Sequence, residues 1–111
     1  MNTKEYDAFV DEVWNGKKTG NEDYDYLKNL FIMTTGIGGE SGEVEEKLKK
    51  YVRDGFIDEK SLIKELGDVL YYTTKIAHTF GFTLDDIIQT NVDKLKGRVK
   101  RGTMHGSGDD R

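Results

Sequence analysis

Gly38-Gly39-Glu40-Ser41-Gly42-Glu43 and Glu65-Leu66-Gly67-Asp68 are the two stretches on which the reading of this chain turns. In each, two acids stand three residues apart, which on a helix is about 300° of rotation, or about 60° the short way, so both lie on one face. Two such helices side by side would bring four carboxylates to one point. Oxygen-only donor sets of that kind suit hard cations such as Mg²⁺ or Mn²⁺. The candidate metal ligands are therefore Glu40, Glu43, Glu65 and Asp68.

Helices are the expectation throughout. The chain holds no proline, and its apolar residues recur at three- and four-residue spacing rather than alternating. The first helix is expected from Thr3 to Trp14 or Asn15, with Asn2 and Glu5 in capping-box spacing, followed by a polar loop from Gly16 to Asn21. A second should start between Asp23 and Asp25 and run to Arg53, ending at Asp54-Gly55. Its apolar stripe includes Leu27, Met33, Val44 and Val52, and Glu40 and Glu43 fall just off the edge. Gly36, Gly38, Gly39 and Gly42 interrupt it, and each glycine costs a helix roughly 0.5–1 kcal/mol relative to alanine. Close approach of a helix or a ligand would offset that cost; a break in the helix is the alternative.

The third helix is expected from Asp58 or Ser61 to Thr79, stopped by Gly81, with Glu65, Asp68 and Tyr72 along one border of its stripe. The fourth begins at Thr83, capped by its hydroxyl with Asp86 three residues on, and turns Leu84, Ile87, Val92, Leu95 and Val99 inward. Asn91 sits within that stripe, and Lys94 and Arg98 follow it at helical spacing, so an amide, an ammonium and a guanidinium share a face suited to phosphate. A core amide satisfied by a backbone carbonyl is the competing account of Asn91. Lys47, on the face of Glu40 and Glu43, is available for an ion pair with Glu43 or for a phosphate. Residues 102–111 form a glycine-rich tail expected to be flexible unless a ligand or another subunit holds it.

Composition narrows the classes. At 111 residues, 35% hydrophobic and 34% charged, the chain is one domain, residues 1–111, with a thin core that self-association would supplement. A formal net charge of -4 argues against a general nucleic-acid binder. The absence of cysteine excludes thiolate chemistry and cysteine-type zinc sites. No apolar run approaches a membrane span and no signal-peptide core is present, so no membrane partner and a cytoplasmic location are expected. His78 and His105 lack a second histidine at ligand spacing, and Ser41 has no histidine near it in sequence to make it a nucleophile. Charged residues three apart are common in so charged a chain, and a solvated face is the bland alternative to a metal site.

Three motifs in order, Gly39-Glu40-Ser41-Gly42-Glu43-Val44, Glu65-Leu66-Gly67-Asp68-Val69-Leu70-Tyr71-Tyr72 and Asn91-Val92-Asp93-Lys94-Leu95-Lys96-Gly97-Arg98, resemble the all-α nucleoside triphosphate pyrophosphohydrolases of MazG type. The resemblance covers residues 25–111, and the ending from Arg101 to Arg111 is similar to that of short, single-domain bacterial and phage members. It implies an all-α bundle of about four helices completed by dimerisation, as a homodimer or a homotetramer of dimers. It further implies Mg²⁺ held by Glu40, Glu43, Glu65 and Asp68, and Asn91, Lys94 and Arg98 on a nucleoside triphosphate that is cleaved to monophosphate and pyrophosphate. Family members often open the first motif with two adjacent glutamates, and here Gly39 replaces the first, so that if this glutamate activates water in relatives, either Glu46 or another acid substitutes or catalysis is slower. Glu40, Glu43 and Glu46 are thus the catalytic candidates. Phosphoribosyl-ATP pyrophosphohydrolase is the nearest enzyme alternative, and a helical dimerisation or adaptor module the non-enzyme one.

Overall fold

Four helices and no strand make up the described residues, 1–14 and 18–111, of the computed structural model: α1 (Thr3–Val13), α2 (Glu22–Asp54), α3 (Glu59–Thr79) and α4 (Leu84–Arg101). The all-α expectation holds. Asn15 and the first residues of the expected polar loop, Gly16 and Lys17, lie outside the described residues.

Local chemistry explains the helix ends. The Asn2 side chain accepts from Glu5 N at 2.8 Å and the Glu5 carboxylate accepts from Asn2 N at 3.3 Å, the reciprocal box expected from the sequence. Thr83 and Asp86 repeat it at α4 with bonds of 3.2 and 2.8 Å. The second helix starts earlier than Asp23, because Asn21 rather than an aspartate takes the cap by accepting from Tyr24 N at 3.0 Å. Its far end stops where Gly55 turns to a left-handed φ of 77° and donates to Tyr51 O at 2.8 Å.

No break interrupts α2 at its glycines; it runs unbroken for 33 residues, about 50 Å at 1.5 Å per residue. One glycine has the structural reason sought for it. A Cβ at position 36 would be driven into the ring of Tyr72 on α3, so the two helices cross there with an aromatic side chain laid on bare backbone. Gly38, Gly39 and Gly42 face space that no described residue fills.

The helices pack as a long α2–α3 hairpin, with α1 lying against α3 and α4. Val10, Met33 and Leu84 are the buried apolar residues among those described, one each from α1, α2 and α4. The thin core expected from composition is thinner still in structure. The radius of gyration is 17.1 Å, against about 13 Å for a compact domain of this length. Leu27 and Val52, assigned inward from periodicity, are 64% and 85% exposed, and Val99 is 67% exposed. The stripes are covered in part, at Met33 and Leu84, and the described residues leave Leu27, Val52 and Val99 open. No helix among the described residues is long and apolar enough to cross a membrane.

Candidate metal and nucleotide site

The carboxylates of Glu40, Glu65 and Asp68 each offer an oxygen, and these oxygens lie within 4.8 Å of one another. Glu40 comes from the middle of α2, and Glu65 and Asp68 from successive turns of α3, so the hairpin crossing set by Gly36 and Tyr72 is what brings them together. Glu40 and Glu65 are partly buried and Asp68 is exposed, leaving one side of the group open to solvent. Crowding of like charge has a strong consequence. A hydrogen bond to Glu65, partial burial, and the negative charges of Asp68, Glu65 and Glu43 push the Glu40 carboxyl up to about 7. Such a group holds a proton near neutrality unless a cation takes its place.

The other acids fall differently. Glu43 is close enough for its charge to act on Glu40, but it is exposed and stands outside the three-oxygen group. Glu46 lies two helical steps of three beyond Glu40, about 120° round the helix, and its oxygens are 3.8 Å from both Lys49 and Lys50. The structure therefore gives Glu46 no part in the acidic group. Lys47 pairs with Glu65 rather than with the Glu43 expected from sequence; its Nζ is 3.9 Å from Glu65 across the hairpin, a cation at the rim of the cluster.

On α4, the inward placement of Asn91 is corrected by the structure. Asn91 is exposed, and with Lys94, Thr90 and Asp86 it lines a groove of about 430 Å³ whose apolar lining is Ala77, Phe82 and Ile87. The spacing that put Asn91 in the stripe was read on a helix covered along its whole length, whereas α4 packs only against α1 and α3. Arg98 departs further from expectation, since it is 6% exposed and its Nη2 donates to main-chain oxygens of Asp109 and Gly108 at 2.8 and 3.3 Å. The tail beyond Gly102, expected to be loose, is folded back along α4 by these bonds.

One charged constellation escapes the sequence reading. His78 on α3 stands between two aspartates of α1, with Nε2 2.6 Å from Asp7 Oδ1 and Nδ1 2.9 Å from Asp11 Oδ1. Lys75 Nζ also donates to Asp11 at 2.9 Å and sits 5.4 Å from the centre of the Trp14 ring. Asp7 Oδ1 accepts in addition from Leu84 N, the first amide of α4, at 3.0 Å. Partial burial lowers the His78 imidazolium's pKa, but the hydrogen bonds and charges of Asp7 and Asp11 outweigh that and leave it raised. Only the helical spacing of Asp7 and Asp11 was visible beforehand, and it could not name a partner nearly seventy positions on.

Comparison with known proteins places these features. A family model, that of the MazG nucleotide pyrophosphohydrolase domain, matches residues 31–103, a span holding the acidic group and the Asn91/Lys94 groove but none of α1. The gene 37 protein of Mycobacterium phage L5 is 39% identical over 97 residues, covering 83% of this chain and 85% of its own length. No solved structure matches.

Proposed function

Because the chain belongs to the MazG nucleotide pyrophosphohydrolase family, we propose that it hydrolyses ribo- or deoxyribonucleoside triphosphates to the monophosphate and pyrophosphate, with Mg²⁺, or Mn²⁺ in its place, as cofactor. The observation that carries this reading is the meeting of Glu40, Glu65 and Asp68 oxygens from two helices within 4.8 Å. Three carboxylates so close, one of them pushed up to about 7, form an electrostatically unfavourable group that a divalent cation would relieve, and an all-oxygen donor set fits Mg²⁺.

Glu40, Glu65 and Asp68 would hold the cation, with Glu43 joining from the next turn. A bound divalent cation supplies charge neutralisation for the phosphates and acidifies water. The chain's own residues do the rest. Lys94 and Asn91 orient the substrate from the groove on α4, and Lys47 adds positive charge beside Glu65. Water attacks the α-phosphorus, the bond from that phosphorus to the bridging oxygen breaks, and pyrophosphate leaves with the electron pair. Glu43, exposed and free of the lysine pairs that occupy Glu46, is the carboxylate assigned to take the water's proton. The open space over Gly38, Gly39 and Gly42 leaves room for phosphate against α2.

The test resolves products from a panel of ribo- and deoxyribonucleoside triphosphates with Mg²⁺. Monophosphate plus pyrophosphate, lost in Glu43→Gln, is the expected result; diphosphate plus phosphate would refute the position of attack. Silence on the panel with turnover of phosphoribosyl-ATP would move the assignment to that substrate.

A second copy of the chain belongs to the same proposal. Phe31, Val52, Phe56 and Ile63 are each at least 66% exposed, large apolar side chains that the monomer leaves in water. Sedimentation should find a species at least twice 12.7 kDa at micromolar concentration. A 12.7 kDa species there would remove the dimer from the account.

A further inference from the structure

Beyond α4, the chain makes a charged arrangement separate from the acidic group. Gly102, at φ 70°, ends the helix, and the segment from Thr103 to Arg111 returns beside it. That segment keeps its own shape: the Arg111 guanidinium donates to the carbonyls of Thr103, Met104 and Gly108 at 2.9, 2.9 and 2.7 Å, and Thr103 Oγ1 donates back to the main-chain oxygen of Arg111 at 2.7 Å. Its hold on the helix runs through Gly108 and Asp109, which meet Arg98, and through the Arg111 main-chain oxygen, which accepts from Arg101 Nε at 3.1 Å. Arg98 Nη2 donates to the Asp109 carbonyl at 2.8 Å and lies 3.4 Å from its carboxylate, and Lys94 Nζ lies 3.5 Å from the same carboxylate oxygen.

We propose that this segment is a strap whose Asp109 carboxylate occupies, in the nucleotide-free protein, the cationic ground that substrate phosphate takes over, so that phosphate binding lifts the strap from Lys94 and Arg98. The inference rests on the nucleotide reading given above. Three observations support it. The anion on Lys94, the one cation among the described residues lining the α4 groove, is a carboxylate of the chain itself. That carboxylate is held at long range and its side chain is 86% exposed, an arrangement that gives a weak pair, whereas a polyphosphate brings several charges and short charge-assisted bonds. Finally, the Arg98 fork is only half used. Its Nη2 is shared among three acceptors in the strap while its Nε is buried with no partner. An unmet buried donor costs the closed state free energy. Lifting the strap frees Nη2, and two phosphate oxygens along that edge would satisfy Nε and Nη2 together. Because Arg111 keeps the loop internally bonded, it can move as one body about Gly102.

The chain has no cysteine, so Ser107→Cys, at an exposed position, takes a single fluorophore on the full-length protein. Tripolyphosphate with Mg²⁺ is the probe. Fluorescence anisotropy of the label should fall as tripolyphosphate saturates the protein. Asp109→Asn should bind tripolyphosphate about 1.5–5-fold more tightly, the range for releasing an exposed ion pair. Asp110→Asn, the same charge change without contact to Lys94 or Arg98, should leave affinity unaltered. An unchanged or rising anisotropy at saturation overturns the strap, as does equal or weaker binding by Asp109→Asn. Product formation from triphosphates alongside either of those results removes the strap and leaves the enzymatic reading standing; no binding of tripolyphosphate or nucleotide by any of these proteins removes both.

Discussion

Replacing Glu40 with glutamine should raise the melting temperature of the metal-free protein while abolishing the stabilisation that Mg²⁺ gives the native chain. The opposite signs share one cause. Without a cation, Glu40 meets the charges of Glu65, Asp68 and Glu43, and its carboxyl is pushed up from 4.5 to about 7. A raised carboxyl binds more protons in the folded chain than in the unfolded one. Its contribution is therefore fully present below about pH 4.5 and is lost as pH climbs to about 7. Metal-free native protein should melt progressively lower across that interval, and Glu40→Gln should flatten the trend. With Mg²⁺ the ranking should reverse, because a cation bound as proposed would stabilise the native chain by mass action and the variant would lack one of its ligands. Turnover should fall about 100-fold or more, since even groups that only orient a ligand cost 10–100-fold when removed. Thermal melts at several pH values, with and without Mg²⁺, check the first part. A variant that melts lower than native protein without metal at pH 7 would show that the three acids do not repel as described.

How far the sequence carried can be judged at the same residues. Glu40, Glu65 and Asp68 were legible because helical rotation puts acids three apart on one face, and Gly81 and Gly55 punctuate the helices where glycine is expected. What periodicity does not hold is which stripe meets which. It turned Val99 and Asn91 inward although α4 has too few neighbours to cover them, and it treated Gly36 and Gly38 alike although only Gly36 meets a side chain. The burial of Arg98 escaped for a related reason. Its acceptors are main-chain oxygens of a glycine-rich segment, and carbonyls leave no residue-type signature.

His78→Ala should lower stability by about 1–3 kcal/mol at pH 6, the cost of leaving partly buried hydrogen-bonding groups unmet. Asp7 would lose its imidazolium partner, and Asp11 would retain only Lys75. The size of the loss depends on pH in a defined direction. His78 is raised above its ordinary 6.5, so its stabilisation is complete below that value and is lost as pH rises through the raised one. Burial tends to raise Asp11, yet Lys75 and His78 bring it below 3.8, so its share is present above 3.8 and disappears only as pH falls through the lowered value. The difference between native protein and variant should accordingly be widest between about pH 4 and 6.5 and narrow above it. Taking the difference cancels the trend due to Glu40. Urea titrations at pH 6 and pH 9 measure it, and the imidazole resonances give the midpoint directly; a midpoint below 6.5 would contradict the double aspartate clasp.

The bare backbone beneath Tyr72 also shapes how this sequence can drift. At position 36 any side chain is barred while an aromatic ring occupies 72, so the two sites cannot vary independently. A lineage that first trims Tyr72 to a smaller residue gains freedom at 36, at the cost of a void between α2 and α3. One that first adds a methyl at 36 forces the helices apart and separates Glu40 from Glu65 and Asp68. Substitution order, not only substitution identity, therefore decides which descendants of this chain keep three carboxylates within reach of one ion.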